Sequence, residues 1–219
     1  MRRTKIIHCE SEKNDCSSKC QREEEYIGEI KEVFERGKLS VYPTETLYAL
    51  GADPFNERAI DLVYKVKKRP KNMPISIAVA DFAMMKSVAE VNELAQRICQ
   101  HLLPGPVTLL LKKKDNVPDK LTFGSHKIGI RVPKHQAALR IIQTLGPITA
   151  TSANLHGHPD PKNLKIAFDQ LGDHVDLYLD CGQCEYQSPS TIVDVSGSSV
   201  KIIRNGVIPN EELLALASK

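Results

Sequence analysis

The 219-residue chain contains no tryptophan, and its aromatic share is only 5%. Surfaces that stack splayed bases need planar side chains, so this composition argues against an RNA-binding module built on stacking. No apolar run approaches the ~20 residues that a spanning helix requires, and the N-terminus is charged rather than signal-like. A cytoplasmic protein without membrane association is therefore expected. No internal repeat or long linker interrupts residues 20–219, and Leu103–Thr108 lacks the Gly and Lys spacing of a Walker phosphate loop. His156, His158 and Asp160 share one loop with no further ligand of clear placement, so no metal site is assigned to them.

What is present fits one sizeable globular core: 41% hydrophobic and 26% charged residues, with a net charge of +3. That charge is too small to demand a polyanionic partner, although cations gathered in one cleft would still hold an anion. Six cysteines are spread over Cys9, Cys16, Cys20, Cys99, Cys181 and Cys184. Zinc could be drawn from Cys16, Cys20, Cys181 and Cys184, but structural sites pair their ligand knuckles within one small module, and these pairs lie far apart in sequence. Reduced thiols are expected, with a disulfide disfavoured.

Periodicity gives an α/β chain. Residues 1–20 form a strand followed by a loop or flexible extension, and 21–219 form the domain. Its first helix, Gln21 to Lys38, carries Tyr26, Ile27, Ile30, Val33 and Phe34 on one face and Gly37 as a stop. Strands are expected near 39–42, 75–80, 107–112, 128–132, 147–151, 175–180, 190–195 and 199–204. Helices are expected over 57–67, 81–89, 92–103, 134–145, 162–171 and 210–217, with Asp81 and Asn92 as N-caps. The hairpin-like connection across 190–204 makes the sheet mixed.

Ile148 to Gly157 is an apolar strand that empties into a loop of hydroxyls and an amide. Strand ends of this kind bind ligands in open α/β sheets, although Ser, Thr, Asn and Gly also build plain turns. Similar polar outbursts accompany other strands: Pro43–Gly51, Lys67–Pro74, Lys127–Pro133, Ser188–Asp194 and Val200–Gly206.

In order, YPTETLYALG, KKRPKNMP, LPGPVTLLL, KIGIRVP, TATSANLHG, PSTIVDV and IIRNG resemble the YrdC/Sua5 family of threonylcarbamoyl-AMP synthases, from about Leu39 to Gly206. The resemblance implies a twisted mixed parallel/antiparallel sheet with flanking helices and a basic concave cleft. It implies synthesis of L-threonylcarbamoyl-adenylate from ATP, L-threonine and bicarbonate, with Mg2+ arriving on ATP. The product would pass to the downstream tRNA threonylcarbamoyl-transferase machinery, and weak RNA binding is compatible with this.

By the same resemblance, Lys67 and Arg69 of K-x-R join Ser152 and Asn154 of S-x-N as a catalytic tetrad at the ATP phosphates. A guanidinium and an ammonium suit polyphosphate, though Lys67–Arg69 would also fit a solvated helix C-terminus; Lys68 is expected to face water. Lys127 and Arg204 are assigned to the nucleotide. Thr44, Thr46, Tyr48, Arg131 and Ser190 are assigned to threonine, with Arg131 as carboxylate clamp. The chain departs from many members at Glu45, Ala49, Met73 and Ala78. Two other readings stay open: a duplex-RNA or tRNA-binding module using the same cleft, and a relative with the same pocket but another amine substrate.

Overall fold

The computed structural model describes residues 4–9 and 16–217, without the side chains of 16–22 and 217. Strand β1 (Lys5–His8) precedes helix α1 (Cys16–Glu35), which begins earlier than the expected Gln21. Tyr26, Ile27, Ile30, Val33 and Phe34 are all buried, as their helical spacing requires. Gly37, at φ +66°, closes the helix: its N–H donates to Phe34 O and that of Lys38 to Val33 O, at 2.8 and 3.0 Å. Carbonyls that the helix cannot satisfy are used in this way.

The mixed pairing expected from sequence is present, but the strands divide between two sheets. One holds β2 (Ser40–Tyr42), β3 (Ala49–Gly51), β9 (Thr151–Ser152) and β10 (Leu177–Asp180) in the order β1-β10-β2-β3-β9. The other holds β4 (Ile77–Ala78), β6 (Val107–Lys113), β7 (Lys127–Arg131), β8 (Ile148–Thr149), β11 (Thr191–Asp194) and β12 (Lys201–Arg204) in the order β12-β11-β6-β7-β4-β8, with β5 (Ala89–Glu90) on β6. The strand expected over 147–151 is thus split at Ala150, where the chain leaves one sheet for the other. Thr149 N donates to Ala52 O and Ala150 N to Ser76 O, at 3.0 and 2.7 Å. Buried Tyr42 spans the same crossing, its hydroxyl donating to Thr149 O at 3.0 Å.

Helices cover the outer faces. α2 (Glu57–Lys67) is capped by Asn56, whose side chain accepts from Arg58 N and Ala59 N, and it buries Ala59, Ile60, Val63 and Tyr64 against the strands. α3 (Phe82–Val88) and α4 (Glu93–Leu102) are capped by Asp81 and Asn92 through Met84 N and Ala95 N. α5 (Asp119–Thr122) is a single turn ahead of β7. On the far side α1 shares a core with α6 (Gln136–Leu145) through Ile30, Phe34, Ala138, Ile141 and β10's Leu177 and Leu179. Truncating Ile30 or Ile141 to Ala costs about 2–5 kcal/mol. The chain closes with α7 (Leu164–Leu171) and α8 (Asn210–Ala217).

One expectation is overturned. β1 pairs parallel to β10 with His8 opposite Asp180, which brings the next residues, Cys9 and Cys181, to a Cα separation of 5.0 Å, and they form a disulfide. Sequence gave no hint of this pairing because it depends on strand register. Cys184 is a free buried thiol, pushed up to about 12 mainly by burial. The side chains of Cys16 and Cys20 lie outside the described residues.

Candidate functional site

The seven-stranded sheet alternates as strands must, one residue inward and the next outward. On β7, Ile128 and Ile130 enter the core, so Lys127, Gly129 and Arg131 face the other way. On β6, Val107, Leu109 and Leu111 are inward, and Thr108 and Leu110 face out beside them. Ser76, Ser190, Ile192 and Arg204 complete this floor, and Thr46, Tyr48, Thr151 and Ser152 from the five-stranded side form a wall. The cleft has a volume of about 350 Å³. Gly129 is needed for close approach: a Cβ there would sit 2.3 Å from Ser76 Oγ. A second cavity of about 410 Å³, beside α3 and α4, has no cation on its lining.

Arg69 follows Lys68, which ends α2 in the left-handed conformation with φ 49°. This reversal leaves Lys68 exposed and brings Arg69 to the cleft. Arg69 Nε donates to Met73 O and Nη2 to Pro74 O, at 3.1 and 3.0 Å. Across the cleft, Arg204 donates to Ser190 O through Nε and Nη2, at 3.2 and 2.7 Å. Neither guanidinium makes an ion pair among the described residues. Burial lowers the pKa of both; nearby Arg131 and Arg69 lower that of Arg204 further, while Asp160 opposes them.

Lys67 is placed differently from the expectation of direct phosphate contact. It is 1% exposed, and its ammonium donates to Ser152 O, to Asn154 O at 2.8 Å and to Asn154 Oδ1 at 3.1 Å. Three donors meet three acceptors, so Lys67 pins the S-x-N loop from behind. Burial, then repulsion from Arg69, brings its pKa down to about 7. Asn154 Oδ1 also accepts from Ser152 Oγ at 2.7 Å, which orients that hydroxyl on the cleft wall. Lys127 reaches the cleft already paired with Asp194 at 2.6 Å.

The other end is built around Arg131. Its Nη1 donates to Thr46 Oγ1 at 3.0 Å and its Nη2 to Glu45 Oε1 at 2.5 Å; its Nε is buried without a partner. Thr44 does not line the cleft but closes its own turn, its Oγ1 bonding Leu47 O at 2.6 Å and accepting from Leu47 N. Tyr48 is among the residues lining the cleft, but its side chain is fully buried and its hydroxyl donates to Gly182 O at 2.7 Å and accepts from Cys181 N at 3.1 Å. Ser190 Oγ shares a 2.9 Å hydrogen bond with buried Thr108 Oγ1.

Sequence reasoning missed Thr108, Ser76 and Asp160 as lining residues and gave Glu45 no role. Strict alternation along β6 could have found Thr108. Asp160, set aside with His156 and His158, is half-buried on the cleft, while both histidines are exposed. No cluster of metal-ligating side chains occurs among the described residues.

Two guanidiniums that make no ion pair among the described residues thus stand above a floor of hydroxyls in an α/β protein. The chain belongs to the Sua5/YciO/YrdC family: the family model, described as "Telomere recombination", matches residues 32–206. It is 37% identical over 184 residues to a protein named putative threonylcarbamoyl-AMP synthase from Methanocaldococcus jannaschii, covering 84% of this chain and 87% of that one. Among solved structures, P. abyssi Sua5 complexed with L-threonine matches with a TM-score of 0.88 and 30% identity over 97% of this chain. This chain spans only 61% of that protein's length. E. coli YciO matches with a TM-score of 0.83 and 25% identity, covering 98% of this chain and all of that one.

Proposed function

We propose that this chain is a threonylcarbamoyl-AMP synthase, with residues 21–219 as the synthase domain. The observation that carries the proposal is the division of charge in the cleft: Arg69 and Arg204 make no ion pair among the described residues, whereas Arg131 is compensated by Glu45 and held beside Thr46. The first end suits polyphosphate, and the second suits a small zwitterion recognised by hydrogen-bond direction. The threonine named with the P. abyssi structure and the synthase named for the M. jannaschii relative support this reading.

In this reaction the threonine amine adds to CO2 derived from bicarbonate, losing a proton to give a carbamate. A carbamate oxygen then bonds the α-phosphorus of ATP, and the bond from that phosphorus to the bridging oxygen breaks to release pyrophosphate. Two anions must approach and charge grows on the leaving group, so fixed donors contribute more than a nucleophilic side chain. Arg69 and Arg204 supply those donors, with Lys67 and Asn154 holding the Ser152 loop in place beside them. Thr46, Arg131 and Ser190 orient the amino acid. Mg2+ would be held by phosphates and water, with Asp160 the one carboxylate on the lining.

The product would feed the threonylcarbamoyl modification of tRNA adenosine 37 in the cytoplasm. No helix among the described residues is long and apolar enough to cross a membrane. Tyr48 is the single aromatic on the lining, a poor basis for gripping RNA by stacking. The test is to incubate the protein with ATP, magnesium, bicarbonate and each amino acid while following pyrophosphate and the labile acyl-adenylate. Turnover should require bicarbonate and L-threonine, with L-serine poorer by about 1–3 kcal/mol for its lost methyl contacts. Equal turnover with leucine, or without bicarbonate, would refute the assignment.

A further inference from the structure

Glu45 is 1% exposed and stands where three parts of the amino-acid end meet. Its Oε1 accepts from Arg131 Nη2 at 2.5 Å on β7, and its Oε2 accepts from the Lys134 backbone N–H at 3.0 Å in the turn that follows. Its own carbonyl accepts from Tyr186 N at 2.9 Å, in the segment leading to Ser190. The neighbouring Thr46 holds the other terminal nitrogen of the same guanidinium at 3.0 Å. Arg131 thus has both terminal nitrogens anchored to consecutive residues of one turn; each keeps a second N–H for a ligand oxygen, while Nε is buried without a partner. A planar guanidinium held at two corners cannot rotate.

On the reading of the cleft given above, we infer that Glu45 is the positioning residue for amino-acid binding, fixing the plane of Arg131 so that the remaining N–H donors of its terminal nitrogens meet the substrate carboxylate. Both carboxylate oxygens face donors, so the position needs an acceptor-only group. An amide turns one NH2 toward either Arg131 or Lys134 N and can satisfy only one of them. An aspartate keeps the charge but is a methylene short of spanning both.

The test is a steady-state split between the two substrates, with threonine titration by calorimetry alongside. Glu45→Gln should raise KM for threonine by about tenfold or more, with KM for ATP and kcat at saturating threonine changed by no more than about threefold. In an Arg131→Ala background the same substitution should add less than about twofold, because its effect is transmitted through the missing guanidinium. A threonine KM close to wild type in Glu45→Gln, or full additivity in the double variant, overturns the inference. If Glu45→Gln does not fold, Glu45→Asp is measured in the same way: a selective rise in threonine KM supports the inference and an unchanged KM overturns it. Wild-type protein that binds threonine but forms no adenylate refutes the synthase reading alone, since calorimetry still compares the variants. Wild-type protein that neither binds nor reacts overturns both.

Discussion

Replacing Arg69 by Ala tests the phosphate end most directly. The guanidinium is held by two carbonyls, Met73 O and Pro74 O, and bears a charge that no carboxylate neutralises, so its remaining donors meet an anion at full strength. A charge-assisted hydrogen bond of this kind is worth about 1.5–3 kcal/mol, or roughly 10- to 100-fold in ATP affinity. A further loss in kcat is expected because negative charge moves onto the departing pyrophosphate, bringing kcat/KM down by on the order of 10²-fold or more. Removing the cation also relieves its repulsion of Lys67, whose pKa should rise from about 7, although the larger cause, burial, remains. The control is Lys68→Gly. Lys68 is exposed and left-handed, so glycine should leave turnover intact and stabilise the fold by about 0.5–1 kcal/mol. Calorimetry with ATP and pyrophosphate release would score both variants. Normal ATP binding in Arg69→Ala together with an inactive Lys68→Gly would show that the cleft cation has been misidentified.

Two further outcomes are expected. Lys67 has a folded pKa near 7, below the ordinary lysine value of 10.5, so the unfolded chain binds more protons between those values and stability linked to this group rises with pH across that window. Denaturant midpoints of wild type should therefore gain on those of Lys67→Met from about pH 7 to about pH 10, and a flat difference would contradict an amine whose burial lowers its pKa. The Cys9–Cys181 disulfide closes a loop of sequence separation 172, so Cys9→Ser should lower stability by about 2–4 kcal/mol under oxidising conditions. The loss should vanish when both proteins are melted in reductant, and a loss that persists there would assign it to packing instead.

Most elements were legible because each depended on local signals. Helices α3 and α4 follow from apolar spacing behind the caps Asp81 and Asn92, and α2 from its apolar spacing alone. The helix α1 face and its Gly37 stop follow in the same way. What the sequence hid was non-local. β3 was concealed within Y-P-T-E-T-L-Y-A-L-G, because a strand of three residues cannot establish a period and its pairing with β2 and β9 exists only once the sheet forms. The split at Ala150 and the Cys9–Cys181 pairing likewise follow from which strands become neighbours. At the site, residue identities were legible as a resemblance, but the direction each side chain takes was not. Lys67 and Arg69 look equivalent in K-x-R, and the left-handed Lys68 between them sends one behind the cleft and the other into it.

That divergence explains how the cleft can hold so many cations before a ligand arrives. Burial lowers the pKa of Lys67, Arg69 and Arg204, and like charges at close range add to it for Lys67, beside Arg69, and for Arg204, near Arg131 and Arg69. Compensating all of them with carboxylates would remove the repulsion and also the attraction for polyphosphate. The chain instead compensates selectively: Asp194 takes Lys127 and Glu45 takes Arg131, while Lys67, Arg69 and Arg204 are satisfied by carbonyl and hydroxyl oxygens. Neutral acceptors fix direction without cancelling charge, so reorganisation is small when the anion binds. A carboxylate introduced beside Arg204, for example at Ser190, would form an ion pair in the free protein and compete with the phosphate for the same donors. The cleft thus depends as much on how few acidic residues line it, Asp160 alone, as on where arginines are present.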